Sequence, residues 1–381
     1  MKSTPIFLII AASLIVACAI APGLAPVGET PQVVESAEEP SPMLELTEAP
    51  AGEPEVPEEP DAPDVPDVPG VMPRGVVDAD LIVDVYDLEK AWPGTTLLTD
   101  KHTGAARLIE VNMLGEIIWE YMLPEEWGEW VVGFEAELLP NGNILFALTR
   151  SGLYEVDRQG NIVWSHEDRQ VSHDADRLPN GNTLYVFGAR DEISDAAVKE
   201  VDSAGNLVWF WFLKDHFDYA PYNEIDYQGW GHTNAVTRLE NGSTLISIRN
   251  FDMIVEVDPE GEVLDMVEGV AFSPHDPLVL ENGNILVVSQ TRQVHTVIEI
   301  DRQTKEIVKE YYAVYDRPNM PVRDCNLLPN GNVLITAARE IIEVAPDGEV
   351  VWRFGLADSV PELEDSAQLG FYKAERLSNL P

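Results

Sequence analysis

The sequence predicts an all-β protein: a six-bladed β-propeller of four-stranded antiparallel blades, preceded by a disordered, acidic, proline-rich tether. Two observations predict the propeller. A hairpin turn of the type Leu-Pro-Asn-Gly-Asn recurs along the chain, and a strand ending in Glu-Val-Asp recurs between its copies. A third observation is negative, since no helical periodicity of any length competes with the strand pattern.

The first repeated unit is a strand, an Asn-Gly turn and a returning strand. Asn and Gly tolerate the positive φ angles that a tight hairpin requires, so each copy predicts two antiparallel strands. The copies occupy residues 139–143, 178–182, 239–243, 280–284 and 328–332.

The second unit is a strand ending in Glu-Val-Asp or a variant, a short turn with Gly, and a strand of the type Ile-Val-Trp. Its six copies begin at Glu110, Glu155, Glu200, Glu256, Glu299 and Glu343. Trp119, Trp164, Trp209 and Trp352 close four of them. Two units give four strands in about 45 residues, the size of one propeller blade. Six copies predict six blades in one domain, residues 76–381.

The ends of the repeat predict how the ring closes. In the first blade Pro93-Gly94 replaces the Asn-Gly turn, and residues 372–379 resemble residues 173–180. A closed ring leaves no unpaired strand edge, so we expect the C-terminal strand to return to the first blade. Either residues 81–88 or residues 371–377 form the innermost strand of that blade.

The N-terminus predicts export. Residues 1–21 have a basic start and a short apolar run, typical of a signal peptide and short for a membrane span of about 20 residues. Ile15-Val-Ala-Cys18 resembles a bacterial lipobox, which predicts lipidation of Cys18. Residues 22–75 are dense in Pro, Glu and Asp, which predicts a disordered linker. We therefore expect an extracytoplasmic protein, held at a membrane by an N-terminal lipid or signal anchor.

Charge restricts the partners. The 381 residues carry a formal net charge of −43, which argues against binding of nucleic acid. It also opposes capture of an anionic substrate, unless a local Arg and His cluster reverses the field. The only two cysteines, Cys18 and Cys325, lie in different segments and indicate no internal disulfide framework.

The hairpins place histidines in one register. Seven residues before the turn Asn stand Phe134, His173, Asn234, His275 and Arg323. The first strand of a blade lines the channel of a propeller, so these side chains should converge there. His232 precedes Asn234 by two residues, and Arg249 lies near the end of the returning strand. We interpret the remaining histidines as surface residues: His102, His166, His216 and His295.

Imidazole, amide and guanidinium groups together suit an anionic, oxygen-rich ligand. Three histidines also suit a metal, but Arg249 disfavours a cation there, so we expect no metal and no cofactor. Asp174 and Asp276 each follow a histidine, and strand alternation turns them to the other face, where we expect a structural role.

Three motifs resemble the arylsulfate sulfotransferase family over roughly residues 80–380. They are Ser-His-Asp-Ala-Asp-Arg-Leu-Pro-Asn-Gly-Asn-Thr-Leu at 172–184, Gly-His-Thr-Asn-Ala-Val with Ile-Ser-Ile-Arg within 231–249, and Val-Tyr-Asp-Leu-Glu-Lys-Ala-Trp-Pro-Gly-Thr-Thr-Leu at 85–97. The resemblance implies a six-bladed propeller. It further implies transfer of a sulfuryl group from a phenolic sulfate to a phenolic acceptor through a sulfated histidine, without the nucleotide sulfate donor PAPS.

The resemblance also implies roles for individual residues. His275 matches the nucleophile and His232 the acid/base histidine. His173, Asn234 and Arg249 match the groups that hold the sulfuryl oxygens. Arg323, Tyr86 and Tyr372 complete the predicted substrate-binding set.

Two other functions remain open on the sequence. A surface-anchored propeller without catalytic activity would use the same His and Arg cluster to bind an anionic ligand or partner. A quinone-dependent dehydrogenase has similar Asp-x-x-Gly-x-x-x-Trp turns, but such propellers usually have eight blades, so this function ranks last.

Overall fold

The computed structural model describes residues 75–125, 127, 134–291, 294–315, 321–361 and 370–378. The predicted signal peptide, the predicted lipidation site at Cys18 and nearly all of the predicted linker lie outside these residues. Within the described part of the chain, no helix is long and apolar enough to span a membrane.

The described residues form β-strands joined by turns, with one four-residue helix, α1 (Lys214–Phe217), in the loop before the fourth blade. The strands in chain order are β1 (Leu81–Tyr86), β2 (Thr95–Asp100), β3 (Arg107–Val111), β4 (Ile117–Met122), β5 (Glu135–Leu138), β6 (Ile144–Leu148), β7 (Gly152–Val156), β8 (Ile162–Glu167), β9 (Ala175–Arg177), β10 (Thr183–Val186), β11 (Val198–Val201), β12 (Leu207–Trp211), β13 (Thr233–Arg238), β14 (Thr244–Ile248), β15 (Met253–Val257), β16 (Val263–Glu268), β17 (His275–Val279), β18 (Ile285–Gln290), β19 (Val294–Ile300), β20 (Ile307–Tyr315), β21 (Val322–Leu327), β22 (Val333–Ala337), β23 (Glu340–Val344), β24 (Val350–Leu356) and β25 (Phe371–Leu377).

These strands form six antiparallel sheets, which confirms the predicted six-bladed propeller. Four sheets take consecutive strands: β5 to β8, β9 to β12, β13 to β16 and β17 to β20. The first blade has the order β25-β2-β3-β4, and the sixth has the order β1-β24-β23-β22-β21. The N-terminal strand of the propeller is therefore a fifth, outermost strand of the last blade.

Closure of the ring decides between the two segments considered for the first blade. β25 pairs with β2 from Thr95 opposite Leu377 to Asp100 opposite Phe371, so residues 371–377 are innermost. β1 instead pairs with β24, with Tyr86 opposite Trp352. Both ends of the repeat are thus paired with a neighbouring strand, as the closed ring requires.

The two repeated motifs occur together because they hydrogen-bond to each other within a blade. Gly142 has φ of 83° in the first Asn-Gly turn, and its amide donates to the carbonyl of Leu139 over 2.8 Å. The side-chain amide of Asn143 donates to Glu155 Oε1 over 2.7 Å. Equivalent pairs join Asn182 with Glu200, Asn284 with Glu299 and Asn332 with Glu343. The glutamate of the Glu-Val-Asp motif therefore fixes the hairpin beside it.

The repeated tryptophans connect neighbouring blades. The indole of Trp119 donates to the carbonyl of Arg158 in the next blade over 3.0 Å. Trp164, Trp209 and Trp352 donate in the same way to Ser203, Pro259 and Met113. An arginine guanidinium lies over each of these four rings at 4.4–5.2 Å. Apolar side chains from adjacent sheets fill the space between blades, and each fully buried Leu, Ile or Val contributes roughly 1.5–3 kcal/mol.

Candidate active site

A cavity of about 310 Å³ opens at one end of the central channel, and most of the sequence-predicted site residues line it. Those residues are His173, His232, Asn234, Arg249, His275, Arg323 and Tyr372. The lining also contains Thr149, Arg150, Ala189, Arg190, Gln228, Gln290 and Pro321. Hairpins of several blades thus bring their leading side chains to one pocket, although Phe134, which shares their register, is not among the lining residues.

His173 and His232 form a hydrogen-bonded pair whose tautomers follow from their partners. His232 Nδ1 lies 3.0 Å from the carbonyl oxygen of Gln228, which can only accept, so Nδ1 carries the proton. The unprotonated Nε2 of a neutral His232 then accepts from His173 Nε2 over 3.0 Å. His173 Nδ1 in turn accepts from the hydroxyl of Tyr372 over 3.1 Å. Tyr372, His173 and His232 therefore form one continuous chain of hydrogen bonds, in which each side chain donates to the next.

Asp191 holds the turn that carries His232. His232 has φ of 52°, a left-handed conformation that is unfavourable for a side chain of this size. The Asp191 carboxylate accepts the backbone N–H groups of Trp230 at 2.9 Å, Gly231 at 2.9 Å and His232 at 3.1 Å. Burial raises the pKa of Asp191 to about 6, and these N–H donors oppose that rise. We conclude that Asp191 keeps the His232 ring aimed into the pocket.

His275 begins β17 at an irregular point of its hairpin. The pairing of β17 with β18 shifts between His275 and Leu278, and the neighbouring Asp276 has φ of 51°. His275 Nδ1 lies 2.8 Å from the carbonyl oxygen of Ser273, so Nδ1 is the protonated nitrogen. Nε2 is then the nitrogen that carries the lone pair, and the side-chain amide nitrogen of Asn234 lies 3.1 Å from both ring nitrogens.

The environment keeps both reactive histidines neutral. Burial lowers the pKa of His275 well below its usual value, and the cations Arg249 and Arg323 act in the same direction. Burial, His173 and Arg249 likewise lower the pKa of His232. A neutral imidazole is the form that acts as nucleophile or base.

Four arginines give the pocket a charge opposite to that of the chain. Arg150, Arg190, Arg249 and Arg323 line the cavity, and no carboxylate is among its lining residues in the described part of the chain. Arg249 lies 5.2 Å from the ring centre of Tyr227, and Arg323 lies 4.9 Å from that of Tyr372. These arginines make the pocket locally positive in a strongly negative protein, as binding of an anionic substrate requires.

One predicted substrate-binding residue lies elsewhere. Tyr86 is on β1, the outermost strand of the sixth blade, and packs against the core shared by the first and last blades. It is not among the lining residues of the pocket. The motif at 85–97 misled the prediction because β1 was considered a possible inner strand.

Two histidines predicted at the surface are buried. His102 is 8% exposed, and its ring lies 2.8 Å from Asp100 Oδ1 in a network that includes Arg107. His295, on β19, is 7% exposed. The expectation failed because residues outside the hairpin register still enter the sheets. His166 and His216 are half-buried.

Sequence reasoning missed Gln290, whose amide lies 3.2 Å from His275 Nδ1. A signal for it exists, because the residue eight positions after the turn Asn enters the pocket in three hairpins. Those residues are Thr149, Arg249 and Gln290. Asp191 had no such signal, since it lies in an irregular loop.

The prediction for the two aspartates after the histidines is confirmed in its geometry. Asp174 and Asp276 do not line the histidine pocket but a second cavity of the channel. In the hairpins of the first, fourth, fifth and sixth blades the pairing shifts at this point. In the first, fifth and sixth blades such a β-bulge re-aims side chains, so consecutive residues of one strand enter the two cavities.

Fold and pocket together define a six-bladed propeller with a cationic, histidine-rich site at the channel mouth. Residues 74–267, just over half of the chain, match the family model described as Arylsulfotransferase (ASST). The chain belongs to the arylsulfotransferase (ASST) family, which implies small aryl compounds as substrates. The match includes His173, His232, Asn234 and Arg249, and it ends before His275.

Solved structures resemble this chain at low identity. A protein of unknown function from Bacteroides caccae is 18% identical with a TM-score of 0.51, over 71% of this chain and 96% of that chain. A virginiamycin B lyase from Staphylococcus aureus is 12% identical with a TM-score of 0.48, over 74% of this chain and 91% of that chain. The first likeness shows the propeller fold alone. A comparison with curated proteins finds no significant match.

Proposed function

We propose that this protein moves a sulfuryl group from a phenolic sulfate ester to a phenolic acceptor, without PAPS, through a sulfohistidine on His275. The observation that carries the proposal is the surroundings of His275: Nδ1 lies 2.8 Å from the carbonyl oxygen of Ser273, burial lowers the pKa of the imidazole, and arginines line the pocket.

In the first half-reaction His275 Nε2 attacks the sulfur of the donor. The S–N bond forms as the S–O bond to the aryl group breaks, and the bonding pair leaves with the phenolate oxygen. Arg249 and the amide of Asn234 stabilise the charge on the sulfuryl oxygens, typically the largest contribution to such catalysis. His232 must first take up a proton at Nε2, and it then gives that proton to the departing phenolate, which returns the imidazole to its neutral form.

In the second half-reaction His232 takes the proton of the acceptor hydroxyl, whose oxygen attacks the same sulfur. The S–N bond breaks, the pair returns to His275 Nε2, and the product ester leaves. Because its pKa is low, His232 is mostly unprotonated, so it is available as a base but seldom carries the proton that the leaving phenolate needs. Donors with acidic phenols should therefore react fastest.

We further propose that Cys18 is lipidated and anchors the domain outside the cytoplasm through the acidic linker. Labelling of expressing cells with a radioactive fatty acid, with Cys18→Ala as control, tests the anchor. Label that persists in the variant contradicts it.

The test of activity is incubation of the purified protein with a chromogenic phenyl sulfate, with and without a phenol. We expect acceptor-dependent release of phenolate and, without acceptor, an acid-labile mass increment on His275. His275→Gln should abolish both, whereas His216→Gln, outside the pocket, should change neither.

Other outcomes separate the alternatives. Release that does not depend on an acceptor indicates a sulfatase. Binding of the aryl sulfate without release or mass increment indicates a non-catalytic binding propeller.

A further inference from the structure

The second cavity of the channel, about 220 Å³, is strongly acidic. Lys373 is the only basic residue among its lining residues in the described part of the chain. Seven carboxylates face it: Glu135, Glu137, Asp174, Asp176, Asp276, Asp324 and Glu375. Such a concentration of like charge is costly unless each group has a structural partner or a bound cation.

Five of the seven carboxylates have a structural partner. Each accepts a backbone N–H from the inner strand of the next blade and so connects the two blades. The pairs are Glu137 with Arg177 at 2.9 Å, Asp174 with Val236 at 2.6 Å, Asp276 with Cys325 at 3.4 Å, Asp324 with Ala374 at 3.0 Å and Glu375 with Leu138 at 3.1 Å.

Lys373 compensates one side of the cavity. Its ammonium lies 2.5 Å from Asp276 Oδ1 and 3.3 Å from Asp174 Oδ1. It is 3.8 Å from Asp324 and 3.6 Å from Glu135 Oε2, both beyond hydrogen-bond distance. The single ammonium group of Lys373 therefore compensates mainly the charges of Asp276 and Asp174.

Glu135 and Asp176 are the two carboxylates that connect no blades. Glu135 is 8% exposed, and its Oε2 accepts no hydrogen bond from the described residues although it is buried in the cavity wall. No residue in the described part of the chain donates a hydrogen bond to the Asp176 side chain either. Oxygens of Glu135, Asp174 and Asp176 lie within 4.8 Å of one another.

We propose that Glu135, Asp174 and Asp176 bind a divalent cation, best matched by Ca²⁺, inside the channel. The ligand atoms are all carboxylate oxygens, which hard cations prefer. Ca²⁺ fits better than Mg²⁺ because it accepts 6–8 oxygens in flexible geometry, whereas Mg²⁺ demands a near-ideal octahedron. The cation would join the second blade to the third, since Glu135 is on β5 and Asp176 is on β9.

The test is calorimetric titration of the chelator-treated full-length protein with CaCl₂ and, separately, MgCl₂, together with thermal unfolding. We expect one Ca²⁺ per chain with a Kd between roughly 10⁻⁵ and 10⁻³ M. Saturation should raise Tm by roughly 2–4 °C.

Two double variants make the test specific. Glu135→Gln/Asp176→Asn should lose both the heat of binding and the shift in Tm, and without Ca²⁺ it should unfold at a higher temperature than the parent, because repulsion is removed. Glu260→Gln/Glu281→Gln removes the same charge from the exposed surface and should leave both responses unchanged.

The proposal is overturned if Ca²⁺ produces neither heat nor a shift in Tm, which would mean that protons or Lys373 alone neutralise the cavity. It is also overturned if the cavity variant still binds with the affinity of the parent, because the ion would then lie on the acidic surface. A response to Mg²⁺ equal to that for Ca²⁺ overturns the choice of ion. None of these outcomes depends on sulfuryl transfer.

Discussion

His173 Nε2 lies 3.0 Å from His232 Nε2, so one proton is held between side chains of two neighbouring blades. Their rings are nearly parallel, 5.1 Å apart with an angle of 15° between the planes. A change in the packing of the third blade against the fourth should therefore alter the proposed acid/base group through both imidazoles.

The pH dependence of stability should reveal the two neutral histidines. The folded-state pKa values of His232 and His275 lie below the usual value near 6.5. At pH values between the folded-state pKa and 6.5, the unfolded chain therefore binds more protons than the folded protein. Their contribution to stability is complete above about pH 6.5. It is lost as the pH falls from there towards the folded-state values.

We expect each histidine to contribute up to about 1.4 kcal/mol per pH unit over this interval. Urea unfolding at several pH values measures the slope. His275→Gln should make it shallower, and an unchanged slope in this variant would contradict the assignment. Because both folded-state pKa values lie well below 6.5, transferase activity should decline on the acid side only as the pH approaches those lower values.

Replacement of Asp191 by Ala should damage both stability and activity. It leaves the N–H groups of Trp230, Gly231 and His232 without their acceptor, which should cost about 2–4 kcal/mol in the free energy of unfolding. Because the turn that carries His232 becomes less rigid, the fold-decrease in kcat should exceed the fold-change in KM. Asp191→Asn retains one acceptor oxygen and should be milder in both measurements. Equal activity in the Ala variant and the parent would show that Asp191 does not position His232.

Tyr372→Phe should weaken catalysis with little effect on folding. The ring contacts with His173 and Arg323 remain, and only the hydroxyl that donates to His173 is lost. Loss of such a hydrogen bond costs about 0.5–1.5 kcal/mol, so we expect kcat/KM to fall by up to about tenfold. Tyr86→Phe is the matched control because Tyr86 lies outside the pocket, and its kinetics should equal those of the parent. A larger effect of the Tyr86 change would favour the original sequence prediction.

The arginines at the pocket mouth should act on substrate capture. Arg150 and Arg190 are exposed, and neither side chain has a hydrogen-bond or ion-pair partner among the described residues. Arg150→Gln/Arg190→Gln should raise KM for an aryl sulfate about three- to tenfold and leave kcat nearly unchanged. The increase should shrink at high ionic strength. Arg169→Gln changes an exposed arginine away from the pocket, and a similar increase there would indicate a general charge effect.

Glu343→Gln should destabilise the closure of the ring. Glu343 and Arg376 form a fully buried ion pair at 3.1 Å between the last and first blades. Breaking such a pair from one side costs about 3–5 kcal/mol because the remaining charge is uncompensated. Urea unfolding measures the loss. Adding Arg376→Met should restore part of it, and failure to do so would show that the hydrogen bonds of Glu343 to Trp92 and Asn332 dominate instead.

The repeats made the architecture predictable because each motif has a local physical reason. Asn-Gly fixes a hairpin, and its turn residue sets the register that brings His173, Asn234 and His275 to one pocket. The position of Tyr86 could not be predicted, because the sequence does not show whether β1 or β25 pairs with the edge of β2 where the ring closes. Asp191 and Arg190 could not be found because irregular loops carry no periodicity, and His102 because its burial depends on a tertiary network.

The pairing of β25 with β2 has a consequence for synthesis. β25 is the last strand of the ring to leave the ribosome. The first blade therefore lacks its innermost strand while the other five blades fold. Tyr372 and Lys373 arrive together on that strand, one for each cavity of the channel. We therefore expect the nascent chain to lack a complete pocket until β25 pairs with β2. A chain truncated before residue 371 should expose the unpaired edge of β2 and aggregate.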